Sequence, residues 1–384
     1  MSSSPLMYRN DTALFPSPPS DPKEQPHQKY ETVATILASK SLPKDEKFIW
    51  PSVDVADALK HELNEPVIDL GGFIRGDSDA TARAAQLLRE GCMKHGFFQV
   101  TNHEVNLDLI RAAYDEVDII FKQSLEKKLS MRTEPGVVRG YSSAHSHRFS
   151  SKLPWKETFT FYYDYNRNDS NHQVVEFFDS SFGEDLKQSG SIYQRYCDAM
   201  KELSLVIMDL LSISLGLNRS FFREYFQDGF SYMRLNSYPP CNSANLTLGT
   251  GPHSDPNSLT ILHQDQVGGL EVLSEGNWKS VRPRPDALVI NLGDTFMALT
   301  NGIYKSCLHR ALVNEAKERR SLVFFVNPRE DKVVRAPEEL LANGEERKYP
   351  DFKWPDMFEF VQKHYRPDVE TLPSFVEWFN STKA

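Results

Sequence analysis

The chain lacks several of the features that assign a protein quickly to a class. Its four cysteines, Cys92, Cys197, Cys241 and Cys307, are scattered without C-x-x-C spacing, which argues against a zinc site and against a disulfide framework. No apolar run approaches the roughly 20 residues of a membrane helix, and the first residues lack the apolar core of a signal peptide. We therefore expect reduced thiols and a cytoplasmic protein that does not enter a membrane.

Positive charge is also in short supply. Lys and Arg number 44 against 53 Asp and Glu, so the net charge is −9. Without a broad basic field, binding to nucleic acid or to an anionic membrane surface is not expected, whereas a small anionic substrate needs only local cations. A chain of 384 residues could hold two or three average domains, or one large domain with helical additions. We expect a monomer that acts on a small molecule.

The first 225 residues are predicted to form a tail and then a region of helices and short strands. Residues 1 to about 30 are rich in Ser and Pro and lack a sustained apolar period, so we expect a disordered or extended tail within residues 1–60. The region 61–225 is predicted to be α/β and helical, and its longest helix covers about 191–217. Gly216 is expected to cap that helix.

After residue 225 the apolar pattern changes from helices to strands. Short β-branched segments follow one another between Pro, Gly, Asn and Asp turns: MRLNSY, SLTILH, GLEVL, ALVINL, HRALV and SLVFFV. This series predicts a double-sheet jelly roll over residues 226–330, so the fold class is mostly β with flanking helices. Residues 331–384 are expected to form a C-terminal helical extension, with a last amphipathic helix at about 356–364.

An H-x-D pair and one distant histidine indicate a metal site. His253 and Asp255 lie in GTGPHSDPNS, and His309 lies in SCLHRALV. Two neutral imidazoles and one carboxylate can occupy one face of a metal ion and leave the opposite face open, as in the facial triad of non-haem Fe(II) oxygenases. In a jelly roll, rigid strands can bring these ligands together although they are distant in sequence.

A second H-x-D pair, His263 and Asp265, competes for the same role. His263 follows His253 by ten residues, which span about 33 Å when extended, so both pairs cannot serve one metal. Asp265 precedes two glycines in DQVGG, where a short acidic residue is usually a turn former. We therefore predict that His253 and Asp255 are the ligands, and that His263 packs or forms hydrogen bonds.

Arg319 and Ser321, in RRSLVFF, offer a guanidinium fork and a hydroxyl on one face of a strand. Such a pair suits the distal carboxylate of a 2-oxo acid. An inward-pointing Arg319 would be costly to bury without a counter-anion. The alternative is that Arg319 and Arg320 are both solvated turn residues, and alternation along the strand decides between these only partly.

Longer segments of the chain resemble the plant 2-oxoglutarate-dependent dioxygenases, and among them the gibberellin 20-oxidases. The marks of the broad class are HGFFQVTNH at 95–103, LNSYPPC at 235–241, the H-x-D pair with its distant His, and the R-x-S. LPWKETFTF at 153–161 resembles a segment typical of the gibberellin 20-oxidases, as do the long stretches around His253 and His309. The resemblance covers nearly the whole chain after the tail.

This resemblance implies a jelly-roll core of the Fe(II)/2-oxoglutarate dioxygenase type and a full set of cofactors. Fe(II) would be held by His253, Asp255 and His309, with 2-oxoglutarate and O₂ as co-substrates and ascorbate as a further cofactor. Asn236 and Tyr238 match family positions that place 2-oxoglutarate, together with Arg319 and Ser321. Ser237 stands where the family usually has a tyrosine, which puts local packing in doubt more than cofactor binding.

The implied reaction is the stepwise oxidation and removal of carbon-20 of a twenty-carbon gibberellin, which gives a nineteen-carbon hormone precursor and succinate. A rigid apolar diterpenoid with carboxylates needs aromatic walls and one or two cations. Trp155, Lys156 and Arg148 are the candidate substrate-binding residues, and His147 is a rival cation. The alternative for LPWKETFTF is a strand that packs on the roll and leaves Lys156 in solvent.

Three other functions stay open on the sequence alone. A related plant dioxygenase that acts on a flavonoid or on another gibberellin carbon would share the iron and 2-oxoglutarate residues. A non-catalytic jelly-roll binding protein would not need the triad and Arg319 together. A zinc hydrolase could use the triad, but the R-x-S argues against it.

Overall fold

A computed structural model of the protein describes residues 34–41, 46–50, 61–133, 138–145, 152–165, 172–341, 345–364 and 370–383. The first 33 residues, in which we predict a disordered tail, lie outside the described residues. Two short stretches inside the predicted tail of residues 1–60 are described, and both are packed. Leu37 and Phe48 are buried in one apolar cluster with Trp155.

Two β-sheets form the centre of the protein. The larger sheet has eight strands, and all neighbouring pairs are antiparallel except the first. In spatial order these are β1 (Val67–Asp69), β2 (Phe97–Thr101), β10 (Leu288–Leu292), β7 (Leu259–Gln264), β12 (Arg319–Asn327), β5 (Phe230–Tyr238), β4 (Glu157–Asp164) and β3 (Gly140–Ser143).

The smaller sheet is antiparallel and closes the roll. Its four strands are β6 (Leu248–His253), β11 (His309–Leu312), β8 (Leu270–Ser274) and β9 (Asn277–Ser280). The smaller sheet packs closely on the larger one. Gly249 of β6 lies against the Tyr238 ring of β5, so that an added Cβ would be 2.5 Å from the ring. Arg319 Nε of β12 donates to the Gly268 carbonyl, just before β8, at 2.5 Å. A further pair, β13 (Val333–Val334) and β14 (Phe352–Lys353), stands apart.

Alternation along β5 and β12 gives the eight-stranded sheet two different faces. Leu235, Leu322 and Phe324 belong to the main apolar core, which they share with the helices. The alternate residues, such as Asn236 and Ser321, face the smaller sheet. We call this second surface the inner face, and it carries the polar residues of the candidate site.

Helices cover the outer face of the eight-stranded sheet. In chain order they are α1 (Gly71–Ile74), α2 (Ser78–Lys94), α3 (Leu107–Phe121), α4 (Leu125–Ser130), α5 (Gln173–Phe182), α6 (Lys187–Ser214), α7 (Phe221–Phe226), α8 (Asp294–Leu299), α9 (Trp354–His364) and α10 (Thr371–Lys383). Among the described residues, no helix combines the length and the apolarity needed to cross a bilayer.

The longest helix, α6, ends as the sequence predicts. Gly216 has φ +77°, a conformation that glycine adopts without strain. The Gly216 amide donates to the Ile213 carbonyl at 3.0 Å, and the Leu217 amide donates to the Ser212 carbonyl at 3.0 Å. This is the Schellman pattern, which satisfies carbonyls that the helix end leaves open.

The jelly roll and its six predicted strands are confirmed, and one expectation needs correction. The last helix is α10, beyond the amphipathic helix predicted at about 356–364. Its proline, Pro373, falls in the first turn, where the missing amide costs no helical hydrogen bond. The region before residue 225 also contributes four strands to the larger sheet. The domain boundaries at 60, 225 and 330 stay predictions.

Candidate metal centre and active site

Pairing of two strands brings the two histidines of the predicted triad together. β6 and β11 are antiparallel neighbours, and His253 at the end of β6 lies opposite His309 at the start of β11. The two imidazole rings have centroids 4.2 Å apart. Asp255 follows two residues after β6. Its Oδ1 atom lies 3.6 Å from Nε2 of His253 and 3.6 Å from Nε2 of His309.

Within the described part of the chain, this is the one cluster of three His, Cys or acidic residues with metal-ligand spacing. One ligand atom from each residue lies within 4.8 Å of the others. The His253 side chain is the most open of the three, at 24% exposed, whereas those of Asp255 and His309 are at 7% and 10%. The cluster therefore has one accessible side, as an open coordination face requires.

Hydrogen bonds fix the orientation of all three side chains. Nδ1 of His253 lies 2.9 Å from the Gly251 carbonyl, and Nδ1 of His309 lies 3.2 Å from the Cys307 carbonyl. A carbonyl can only accept, so each Nδ1 carries the proton and each Nε2 presents its lone pair to the cluster. Asp255 Oδ2 accepts from Thr260 Oγ1 at 2.7 Å and from Asn291 Nδ2 at 2.9 Å, which leaves Oδ1 for a cation.

The protonation states also suit a metal. Burial and the neighbouring His309 lower the pKa of His253 to about 3, so this imidazole is neutral at physiological pH. Burial acts to raise the pKa of Asp255, but the two imidazoles and the hydrogen bonds from Thr260 and Asn291 outweigh it, and that pKa is lowered. A neutral imidazole and an ionised carboxylate are the forms that bind Fe(II).

Gly293 is required for the backbone to pass behind Asp255. A Cβ at this position would lie 2.0 Å from the Asn257 carbonyl oxygen and 2.7 Å from the Asp255 carbonyl oxygen. The Asp294 amide, next in the chain, donates to the same Asp255 carbonyl at 2.8 Å. Any side chain at Gly293 must therefore move the loop that carries Asp255.

We expect Gly293→Ala to weaken Fe(II) binding about tenfold and to lower the free energy of unfolding by about 1–3 kcal/mol, since the clash is with backbone atoms. Fe(II) titration and thermal melts measure the two effects. The matched control is Gly276→Ala, which meets no atom within 4 Å but has φ +76°. It should lose about 1 kcal/mol of stability and keep its Fe(II) affinity. Equal Fe(II) affinity in both variants would contradict this account of Gly293.

The four predicted anion-binding residues lie side by side on β5 and β12. Arg319 is opposite Tyr238 in the register, and Ser321 is opposite Asn236. The Arg319 guanidinium carbon lies 4.7 Å from the centre of the Tyr238 ring, and Asn236 Nδ2 donates to Ser321 Oγ at 3.0 Å. All four residues are buried on the inner face.

Two polar atoms in this group have no partner within the part of the chain that the structure describes. Arg319 Nε donates to the Gly268 carbonyl at 2.5 Å and Nη2 to Gln264 Oε1 at 3.2 Å, but Nη1 is buried without an acceptor. Asn236 Oδ1 is likewise buried without a donor. Arg319 also has no carboxylate partner among the described residues. An entering carboxylate would supply the missing charge and acceptor, so this group suits the distal carboxylate of 2-oxoglutarate.

Arg320 points away from the site, as alternation along the strand requires. Its Nη1 atom donates to Asp118 Oδ1 at 2.6 Å, and its Nε atom lies 3.9 Å from Asp265 Oδ2. Asp265 also accepts from the Arg320 and Val267 amides, at 2.6 and 3.1 Å, which is the turn role predicted for it. Nδ1 of His263 lies 3.0 Å from the Tyr114 hydroxyl. The second H-x-D pair is therefore part of the scaffold.

Lys156 is buried and reaches the smaller sheet. Its Nζ atom donates to Thr250 Oγ1 of β6 at 3.0 Å, and its charge contributes to the lowered pKa of His253. The alternative that leaves Lys156 in solvent is wrong, because this residue is buried directly before β4 and donates to β6. Arg148 and His147, the other candidate cations, lie outside the described residues.

Trp155 is fully buried next to Lys156, just before β4. It packs edge-to-face on Phe48 with ring centroids 5.6 Å apart, and its Nε1 donates to the Pro239 carbonyl at 3.0 Å. Ser237, at the position of the usual family tyrosine, donates to Glu318 Oε1 at 2.5 Å. Its neighbours Asn236 and Tyr238 keep their inward direction, so the serine leaves the anion-binding group intact.

Sequence reasoning missed three polar residues of the inner face: Thr260, Gln264 and Arg234. Thr260 and Gln264 lie on β7, which carries no predicted site residue, so no motif marked them. Arg234 precedes Asn236 by two positions and Tyr238 by four, so strand periodicity alone would have placed it on the same face.

Two family models match the chain. The model of the 2OG-Fe(II) oxygenase superfamily matches residues 229–328, which include the roll and all the candidate ligands. The model described as non-haem dioxygenase in morphine synthesis N-terminal matches residues 66–180. A crystal structure of JOX2 in complex with 2OG, Fe and JA superposes with a TM-score of 0.73 and 30% identity, covering 90% of this chain and 97% of that one. The fold and the triad thus define a 2OG-Fe(II) oxygenase.

Curated relatives narrow the family further. Gibberellin 20 oxidase 2 of Oryza sativa subsp. japonica is 48% identical over 379 residues, covering 95% of each chain. Gibberellin 20 oxidase 2 of Arabidopsis thaliana is 50% identical over 332 residues, covering 86% of each chain. The chain belongs to the gibberellin 20-oxidase family within the 2OG-Fe(II) oxygenases. It is an Fe(II)- and 2-oxoglutarate-dependent dioxygenase.

Proposed function

We propose that this enzyme oxidises and removes carbon-20 of C20 gibberellins to give C19 gibberellins, with conversion of 2-oxoglutarate and O₂ to succinate and CO₂. The observation that carries the proposal is the division of the inner face into a polar end, at Arg319 and Ser321, and an apolar end. Tyr232, Val323 and Phe325 form the apolar end as a cluster separate from the main core. Tyr162, Leu262 and Val138 pack against that cluster.

The two ends lie next to the triad in an order that suits two ligands. Thr260, which donates to Asp255, is the register partner of Phe325, and Phe325 is the partner of Tyr232. The apolar end is therefore at the level of the carboxylate ligand. Ser321 and Arg319 lie further along the same strand. A short dicarboxylate and a rigid apolar diterpenoid can thus approach the metal from different parts of the face.

Each group of residues has a distinct role in the proposed reaction. His253, Asp255 and His309 would hold Fe(II), which with 2-oxoglutarate and O₂ supplies the power to oxidise an unactivated C–H bond. Thr260 and Asn291 keep Asp255 Oδ1 directed at the metal. Arg319, Ser321, Asn236 and Tyr238 would bind the distal carboxylate of 2-oxoglutarate. The aromatic side chains at the apolar end exclude water from the substrate carbon.

Lys156 and Arg148 are proposed to bind the substrate, with Trp155 in a supporting role. Lys156 is the described candidate whose ammonium lies near the triad. Trp155 has no exposed surface, so we propose that it acts by supporting the backbone that carries Lys156. We further propose a cytoplasmic monomer that uses ascorbate as a cofactor. All four cysteines are free thiols, as a reducing compartment would keep them.

A panel of substrates tests the proposal. The enzyme with Fe(II), ascorbate and 2-oxoglutarate is incubated separately with a C20 gibberellin, a C19 gibberellin and a flavonoid, and succinate release is measured. We expect succinate release well above the substrate-free background only in the assay with the C20 gibberellin. Preference for the flavonoid or for the C19 gibberellin would assign the site to a different plant dioxygenase reaction.

Lys156→Ala should raise KM for the gibberellin about three- to tenfold, because a buried cation is lost from the proposed substrate pocket. Affinity for 2-oxoglutarate and Fe(II) content should not change. The control is Lys363→Ala on helix α9. It removes an ion pair with Glu359 of the same helix, which belongs to the C-terminal region and not to the candidate site. If gibberellin kinetics of Lys156→Ala match the parent at low ionic strength, Lys156 does not bind the substrate, and Arg148 and His147 are the next residues to test in this part of the chain.

A further inference from the structure

Arg234 lies on the inner face between the two ends of the site. It is opposite Val323 on β12 and opposite Thr160 on β4. Two residues further along β5, and on the same face, is Asn236, which bonds to Ser321. Two residues before Arg234, also on this face, is Tyr232 of the apolar end. Arg234 therefore stands at the boundary between the carboxylate-binding residues and the apolar wall.

The guanidinium of Arg234 is surrounded by aromatic rings. Its central carbon lies 5.3 Å from the centre of the Phe325 ring and 6.0 Å from that of Tyr232. Its Nε atom donates to Thr160 Oγ1 at 3.1 Å. The side chain is partly exposed, so a ligand inside the roll can reach it. Rings on two sides and a hydroxyl on a third hold the planar group in a defined place.

Arg234 also lacks an acidic partner, unlike Arg310 on β11 and Arg223 on α7. Arg310 pairs with Glu271 at 2.6 Å, and Arg223 pairs with Asp209 at 2.8 Å. Among the described residues, no carboxylate oxygen forms an ion pair with Arg234. Burial lowers its pKa, and the charge of Asp255 is among the effects that oppose this, which places the guanidinium in the field of the candidate metal site. A partly buried cation without a counter-ion favours an anionic ligand.

We propose that Arg234 binds a carboxylate of the gibberellin substrate and so determines which end of the rigid skeleton faces His253, Asp255 and His309. The inference rests on the proposed function, because it takes the substrate to be an apolar diterpenoid acid. The rings of Tyr232 and Phe325 would contact the hydrocarbon skeleton while the guanidinium pairs with its acid group. The distal carboxylate of 2-oxoglutarate has a separate set of donors at Arg319 and Ser321. Arg234 is thus a determinant of substrate specificity that the sequence motifs do not mark.

A binding cycle with a neutral ligand analogue isolates this contact. The holoenzyme with Fe(II) and 2-oxoglutarate is titrated without oxygen with a C20 gibberellin and with its methyl ester, using the wild type, Arg234→Gln and Arg234→Lys. We expect the wild type to prefer the acid by about 10- to 100-fold, as for loss of a charge-assisted hydrogen bond. Arg234→Gln should lose most of the acid preference, and Arg234→Lys should keep a larger part of it. The control Arg335→Gln removes an exposed ion pair with Asp351 and should behave as the wild type.

Each outcome decides a different point. If Arg234→Gln keeps the full preference for the acid, the inference about Arg234 is overturned, and the proposed function is unaffected. A weakened affinity for 2-oxoglutarate with an unchanged acid preference also overturns it, because Arg234 would then serve the co-substrate. If the wild type binds neither gibberellin nor ester, the proposed function itself fails. If thermal melts show that Arg234→Gln does not fold, Arg234→Lys alone tests the inference. Full acid preference and unchanged affinity for the acid in Arg234→Lys would then contradict a guanidinium-specific contact.

Discussion

Asp255→Ala should abolish gibberellin turnover while leaving the fold largely intact. The carboxylate supplies the single negative charge among the three candidate ligands, and its Oδ1 atom is the point to which both imidazole Nε2 atoms converge at 3.6 Å. Fe(II) affinity should fall by more than about 100-fold, since loss of a hydrogen bond that merely supports a ligand already costs about 10- to 100-fold. Metal content after dialysis, together with succinate release, measures the effect.

The second H-x-D pair provides the control for this variant. Asp265→Asn changes an acid in the same sequence pattern, but one that accepts hydrogen bonds from the Arg320 and Val267 amides. We expect it to keep its Fe(II) and most of its activity, with some loss of thermal stability. Iron lost from Asp265→Asn and retained in Asp255→Ala would show that the wrong pair had been chosen.

Arg319→Lys should weaken 2-oxoglutarate binding by about 2 kcal/mol, or about 30-fold. The guanidinium is buried and uses two of its nitrogens to bond Gly268 and Gln264, so its third nitrogen is held ready for a carboxylate. An ammonium cannot reproduce that fork. Titration of the variant with 2-oxoglutarate gives the dissociation constant directly.

Arg320→Lys is the matched control, one position along the same strand. Arg320 faces Asp118 and Asp265 on the other side of the sheet. Its replacement should change stability slightly and leave 2-oxoglutarate affinity unaltered. Overlaid titrations of Arg319→Lys and the parent, or a larger effect from Arg320→Lys, would contradict the assignment of Arg319.

The motifs predicted the metal and 2-oxoglutarate residues because the regular geometry of strands fixes where residues at a given spacing lie. His253 and His309 are far apart in sequence, but the jelly-roll prediction places both at strand ends, and the β6–β11 register brings them opposite each other. The R-x-S spacing likewise survives folding, because residues two apart on a strand share a face. Similarity to a known family added Asn236 and Tyr238, which the residues alone did not mark.

The substrate side of the site could not be predicted in the same way. Whether Lys156 lies in solvent or beside Thr250 depends on which sheet β4 joins, and that pairing is a long-range contact without a local signal. Phe48 and Leu37 pack on Trp155 although they belong to the segment of residues 1–60 that is predicted to be a tail. Arg234 has no motif, and its importance comes from what surrounds it in space.

The most direct test of the account is the mass of the product and its ratio to succinate. The wild-type enzyme is incubated with Fe(II), ascorbate, 2-oxoglutarate and a C20 gibberellin, and the products are identified by mass spectrometry. The account predicts oxidised intermediates followed by a gibberellin that has lost one carbon, with succinate formed at each oxidation step. A product that keeps all twenty carbons after complete 2-oxoglutarate consumption, or succinate release that does not depend on the gibberellin, would contradict it.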